Sequence, residues 1–207
     1  MHPNPIFRKE SNERNLSFVQ HRSFGALSIN ADPVPLLAHI PFQLSEDGKY
    51  LEAHLVRSNP IARTLRDGER DAVIAVTGPD GYISPDWYGV ENQVPTWNYV
   101  AAHVHGTVRL LPEDALLGVL ERLSEKMEKQ LLPKPVWHHS KMDDTVMEKM
   151  MRQIVPIEMD VKNIDATWKL GQNKSADARN GAAEGLENSE NGIGLQELAQ
   201  LMREVEE

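Results

Sequence analysis

The sequence predicts an α+β protein built on a small antiparallel β-barrel with flanking helices. Three observations point there. Five or six segments alternate apolar and polar residues with a period of two, the pattern of strands buried on one face. Turn chemistry suited to hairpins separates several of them. Helical periodicity marks separate segments, expected at the sides and end of the barrel, with no internal repeat and no βαβ alternation.

The elements follow in order. Residues 13 to 23 read as a short amphipathic helix around Leu16, Phe18 and Val19, and "FGALSIN" (Phe24–Asn30) as a strand. In "VPLLAHIPFQL" the even positions Val34, Leu36, Ala38, Ile40, Phe42 and Leu44 are apolar, while His39, Pro41 and Gln43 occupy the other face. "EDGK" supplies a turn through Asp47-Gly48, and "YLEAHLV" returns with Leu51, Ala53 and Leu55 opposite Glu52 and His54. Asn59 as N-cap and Pro60 at the first position start a helix. "DAVIAVTGPDGYIS" reads as a hairpin turning at Pro79-Asp80-Gly81. An aromatic loop, "PDWYGVENQVPTWNY", leads to "VAAHVHGTVRLL", whose even face is Ala102, Val104, Gly106, Val108 and Leu110. Pro112 opens a long helix carrying Leu116, Val119, Leu120, Leu123 and Met127, and Thr145 with Glu148 forms a capping box for another. The last strand changes phase near Lys162-Asn163, which predicts a bulge or bend. Ser175 then caps a further helix, and "LQELAQLMREVEE" is expected as an acidic helix beyond a flexible linker.

With 207 residues, the chain fits one domain and a tail: a compact domain over 1–186 and the acidic segment 187–207. The absence of cysteine excludes disulfides, thiolate catalysis and Cys-ligated metals, which suits a cytoplasmic protein. No apolar run is long enough to span a membrane, and "MHPNPIFRKESNER" lacks the apolar core of a secretory signal. The net charge is −9, of which −6 falls from Glu184 onward, where seven acids face Arg203 alone. Nothing is strongly basic, so direct DNA binding lacks the usual electrostatic support.

Dinucleotide, Walker A and nucleophile-elbow motifs are all missing. His39, His54, His103 and His105 fall on the non-core faces of strands. His103 and His105 share a side, but no acid accompanies them on that face, so a wet sheet face is preferred to a metal site and no metal is expected. In "WHHSK" adjacent side chains diverge, which weakens that pair further. Trp87, Tyr88, Trp97 and Tyr99 could stack on a flat ligand or pack against protein, packing being the commoner use. "KLGQNKS" sets Gln172, Asn173 and Lys174 before a Ser-capped helix, and "HLVRSNP" sets Arg57 and Ser58 before another. Each alone is ordinary capping; together they make an anionic planar ligand worth considering.

"HLVRSNP", "YISPDWY", "VPTWNYVAAHVHG" and "WKLGQNKSADARNG" together resemble the PaiB family, described as FMN-binding negative transcriptional regulators. The resemblance runs in order from about Phe7 to Leu186, and the tail after Gly185 looks like an addition. It departs at Ala53, where Gly is common, and at Gly171, where Ser is common. What it implies is a split β-barrel, related to flavin reductases and pyridoxamine-phosphate oxidases, that forms a homodimer with FMN at the subunit interface. Carried onto this chain, the resemblance gives Asn30, His39, Ile40, His54, Arg57 and Asn59 as flavin contacts, with the phosphate near Arg57–Asn59. Trp97, Asn98, Lys169 and Gln172 join them because the recognisable motifs fall there. Transcriptional repression is the implied role, with an FMN-dependent oxidoreductase using NAD(P)H as the alternative. Whether the chain is an enzyme stays open at this point.

Overall fold

The alternating segments become seven strands in a computed structural model that describes residues 1–205. In chain order the elements are α1 (Asn12–Arg22), β1 (Phe24–Ile29), β2 (Leu36–Leu44), β3 (Tyr50–Val56), α2 (Pro60–Thr64), β4 (Arg70–Ile83), β5 (Thr96–Leu110), α3 (Leu116–Lys129), α4 (Asp144–Met151), β6 (Ile154–Lys169), α5 (Ala176–Glu187), β7 (Gly192–Ile193) and α6 (Leu195–Arg203). The sheet order is β1-β2-β3-β6-β5-β4-β7, and β1 also pairs with β4. That extra pairing closes six strands into a ring, which removes their exposed edges. This is the antiparallel split barrel expected from the sequence.

The chain divides into two units. The barrel unit, Leu16–Val76 and Val104–Ile164, holds β1, β2, β3, α3, α4 and the adjoining lengths of β4, β5 and β6. Register follows the alternation: Ala26 lies opposite both His39 and Ala75, and Ala53 lies opposite Phe42 and Ile157. Leu27, Ile40, Phe42, Leu51, Leu55, Ile74, Val76, Val104, Val108, Ile157 and Met159 are all buried. The barrel is thus filled by its own side chains, as small barrels are. A Cβ on Gly106 would lie 2.2 Å from the Asp160 carbonyl oxygen, so only glycine permits this approach of β5 to β6.

The second unit comprises Met1–Asn15, Thr77–His103 and the chain from Asp165 onward. Its core joins helix to strand: Ala182, Ala183 and Leu186 of α5 and Leu198, Ala199 and Met202 of α6 are buried, as are Ile83, Val100, Ala102 and Trp168 of β4, β5 and β6. Arg179 of α5 is buried too, and donates to the carbonyls of Lys174, Met202 and Val205 at 3.2, 2.8 and 2.9 Å.

Four expectations are corrected. The sheet has more strands than five or six short ones, and β4, β5 and β6 are 14, 15 and 16 residues long. "GPDG" is not a hairpin turn, because β4 runs through it. Asp80 pairs with Ile193 and Gly81 with Gly192, while Pro79, which has no N–H to give a ladder, stands just before that paired run. The burial of β4 changes phase there, from residues 72, 74, 76 and 78 to residues 79, 81 and 83. The cap of α4 is Asp143, whose carboxylate accepts from Val146 N at 3.1 Å, rather than Thr145. The stretch expected as a flexible linker contains β7, which ties it to β4.

Candidate functional site

The flavin residues expected on the barrel unit sit on β1, β2, β3 and the segment after β3. Asn30 and His39 are exposed, and the His39 ring stacks near Phe24 with centroids 6.3 Å apart. Ile40, being on the inward face of β2, is buried in the barrel core, so only its backbone can meet a ligand. His54 points outward from β3 and is half-buried. Its Nδ1 has no hydrogen-bond partner, and burial pushes its pKa below the ordinary imidazole value, favouring the neutral ring.

Arg57 follows β3 directly. Its guanidinium donates to Glu113 Oε1 at 2.7 Å and to the carbonyls of Arg152 and Ile154 at 2.9 and 3.3 Å. These bonds fix its plane. Asn59 caps α2, its Oδ1 accepting from Ile61 N at 2.8 Å. That helix is only five residues long, so its dipole adds little. Positive charge here comes instead from side chains, because Arg57, Ser58, Arg63, Arg66 and Arg152 line a cleft of about 460 Å³ whose described lining has no acid. Mutually repelling guanidiniums around a small cleft favour a multiply charged anion, and arginine's fork matches phosphate oxygens. The donor set fits the phosphate of FMN. Arg63, Arg66 and Arg152 were not singled out from the sequence; Arg152 lies 95 residues from Arg57, and only the pairing of β3 with β6 brings them together.

The other expected residues lie in the second unit. Trp97 is 48% exposed, its ring edge-on to Tyr82. Asn98 is 1% exposed and its amide faces Met202 Sδ at 3.4 Å, so it points into the core. The Lys169 ammonium donates to Thr96 Oγ1 and to the Trp97 carbonyl at 2.7 Å, and burial lowers its pKa. It braces the start of β5. Gln172 accepts from Leu170 N at 2.9 Å and donates to the Trp168 carbonyl. Lys174 donates to Gln93 Oε1 and stands 5.0 Å over the Tyr88 ring. Gln172 is therefore engaged with the end of β6 and Lys174 with the aromatic loop, while Ser175 caps α5. The aromatic loop divides by use: Tyr88 is buried, and Trp87 packs on α5 so closely that a Cβ on Gly185 would lie 2.3 Å from its ring. Among the described residues, no helix is long and apolar enough to cross a membrane.

Comparison with known proteins bears on family, fold and cofactor. The family model described as "Putative FMN-binding domain" matches residues 1–163. The Protease synthase and sporulation protein PAI 2 of Bacillus subtilis (strain 168) is 34% identical over 203 residues, covering 97% of this chain and 96% of its own. That span takes in most of the acidic C-terminal segment, which corrects the expectation that the tail is an addition. Uncharacterized protein YKL070W of Saccharomyces cerevisiae is 33% identical over 102 residues, 45% of this chain and 60% of that one. Among solved structures, the FAD and heme binding protein from Mycobacterium smegmatis superposes with a TM-score of 0.58 at 19% identity, over 78% of this chain and 72% of that one. The flavocytochrome Anf3 from Azotobacter vinelandii gives 0.51 at 10%, over 77% and 68%. Those two likenesses show the fold. On the family match and the near-full-length similarity to the Bacillus protein, the chain belongs to the PaiB family of FMN-binding split-barrel proteins, with FMN as its cofactor.

Proposed function

We propose that the protein is a cytoplasmic homodimer that holds FMN at the subunit seam and acts as a negative transcriptional regulator of PaiB type. The arginine cleft after β3 carries the flavin part, as a cavity of about 460 Å³ lined by Arg57, Ser58, Arg63, Arg66 and Arg152. The filled barrel leaves its outer face for the ring, and the residues assigned to it there are Asn30, His39, His54 and the backbone of Ile40. Asn59 holds the segment carrying Arg57 in place, while Lys169 and Gln172 brace the strands beside Trp97 and Asn98. Bound FMN would supply electron or hydride transfer; the chain's own part is to fix the ring and neutralise the phosphate. The regulatory part rests on similarity to the relative named Protease synthase and sporulation protein PAI 2. With a net charge of −9, repression acts more readily through a protein partner or the flavin's state than through operator contacts.

The test is FMN titration of the purified protein, followed by visible absorption. Wild type takes up the flavin, and Arg57→Ala weakens uptake by about 10- to 100-fold, the range for losing a charge-assisted contact. Lys169→Ala weakens it less, because that ammonium acts through Trp97. Flavin affinity unchanged in both variants removes the assignment. Mobility shifts with upstream DNA at low salt separate direct repression, which retards the fragments, from the partner-mediated form, which leaves them free.

A further inference from the structure

Three side chains that no motif joins meet beside an apolar cavity in the barrel unit. The cavity, about 710 Å³, is lined by Leu120, Trp137, Met147, Met151 and Ile154 among others, and Glu121, His138 and His139 also line it. Adjacent rings diverge on a strand, but here His138 is extended (φ −132, ψ 146) and a 3-10 turn, His139–Lys141, starts at the next residue. The two rings fold together with centroids 4.1 Å apart. The Glu128 carboxylate, on the last turn of α3, accepts from Trp137 N at 2.8 Å and from Lys134 Nζ, pinning the loop beside the helix that carries Glu121. One ligand atom from each of Glu121, His138 and His139 then lies within 4.8 Å of the others.

Two details give this meeting chemical content. His139 Nδ1 is buried and has Glu121 Oε1 only 3.1 Å away, yet the contact lacks hydrogen-bond geometry and the nitrogen has no hydrogen-bond partner. Buried polar atoms are seldom left so, and a cation between nitrogen and oxygen would satisfy both. His138 Nδ1 accepts from Ser140 N at 3.2 Å and lies 3.1 Å from Ser140 Oγ. For Nε2 to take an ion the proton must sit on Nδ1 and be donated to the Ser140 hydroxyl, which releases the Ser140 N–H bond and leaves that hydroxyl as outer-shell support.

We propose that Glu121, His138 and His139 form a binding site for a divalent transition-metal ion of the zinc class. Two imidazoles and one carboxylate suit zinc, nickel or cobalt better than the all-oxygen ions calcium and magnesium. Three protein ligands leave a fourth position, open to water or to a donor atom of a molecule in the apolar cavity.

The test is calorimetric titration of the tag-free full-length protein, stripped with chelator, using zinc chloride. One ion binds per chain, and His138→Ala, His139→Ala and Glu121→Gln each weaken binding by at least about tenfold; Ser140→Ala weakens it by about tenfold. His21→Ala, exposed on α1, leaves it unchanged. Cobalt(II) in place of zinc gives the ligand-field absorption of a four-coordinate site, lost in the same variants. Thermal midpoints in chelator confirm that the variants fold. Absence of zinc binding by the wild type overturns the proposal, as does equal affinity in the folded His138→Ala/His139→Ala double variant. Flavin uptake in the same samples reports on FMN separately, so the two readings fail independently.

Discussion

Arg179 shows at the scale of one residue how the second unit holds its last helix. Two of its three acceptors, the carbonyls of Met202 and Val205, lie at the end of α6, where a helix runs out of internal donors. A cation there also meets the negative end of the helix dipole. Arg179→Met keeps most of the stem and removes the donors, leaving buried carbonyls unpaired. The expected loss is about 2–4 kcal/mol in urea unfolding; a change within about 0.5 kcal/mol, typical of a surface site, would show that the bonds contribute nothing. Nothing near Arg179 in sequence announces this, since its partners lie 23 and 26 residues away. Glu121 was missed for the same reason, being a helix position that only a pinned loop brings to the histidines. Asn98 is different. Its parity matches Ala102 and Val104, so the alternation already placed it on the core face, and the motif-based assignment overrode that signal.

At the scale of elements, strands were legible wherever one face is buried, because a period of two survives in β2, β3 and β5. It fails for β4 because Pro79-Asp80-Gly81 carries turn chemistry for another purpose. A Cβ on Gly81 would stand 2.6 Å from Leu186, 3.1 Å from Leu195 and 3.3 Å from Leu198, so this glycine is a notch into which α5 and α6 pack. The two uses respond oppositely to substitution. Asparagine tolerates the left-handed backbone of a turn and would replace a turn glycine at little cost. In the strand it collides with three leucines, and Gly81→Asn should cost about 1–3 kcal/mol, the range for overpacking. Denaturant unfolding of this variant decides it: stability equal to wild type would restore the hairpin. The α4 cap was misread more narrowly, since Asp143 and Thr145 are both good cap residues and only the observed bond selects between them.

For the whole molecule, what matters is the surface the barrel presents. Its interior is full, so apolar side chains left outside call for another cover. Leu37 is 61% exposed and Phe24 50%, on neighbouring strands whose register sets Ser28 opposite Leu37 and Phe24 opposite Pro41. His39 lies between them on the same face, so the proposed seam and the proposed flavin residues coincide. If this face is where two copies meet, Leu37→Glu buries an unpaired carboxylate in it, which is costly without a partner. Wild type should sediment at twice the 23.3 kDa chain mass and the variant at the single mass across the same concentrations. Because Leu37 lies on the strand that carries His39, flavin retention should fall with the dimer rather than independently of it. A Leu37→Glu protein that stays dimeric with full flavin binding would move the seam to another face, and a monomeric one that keeps its flavin would place the FMN site within a single chain.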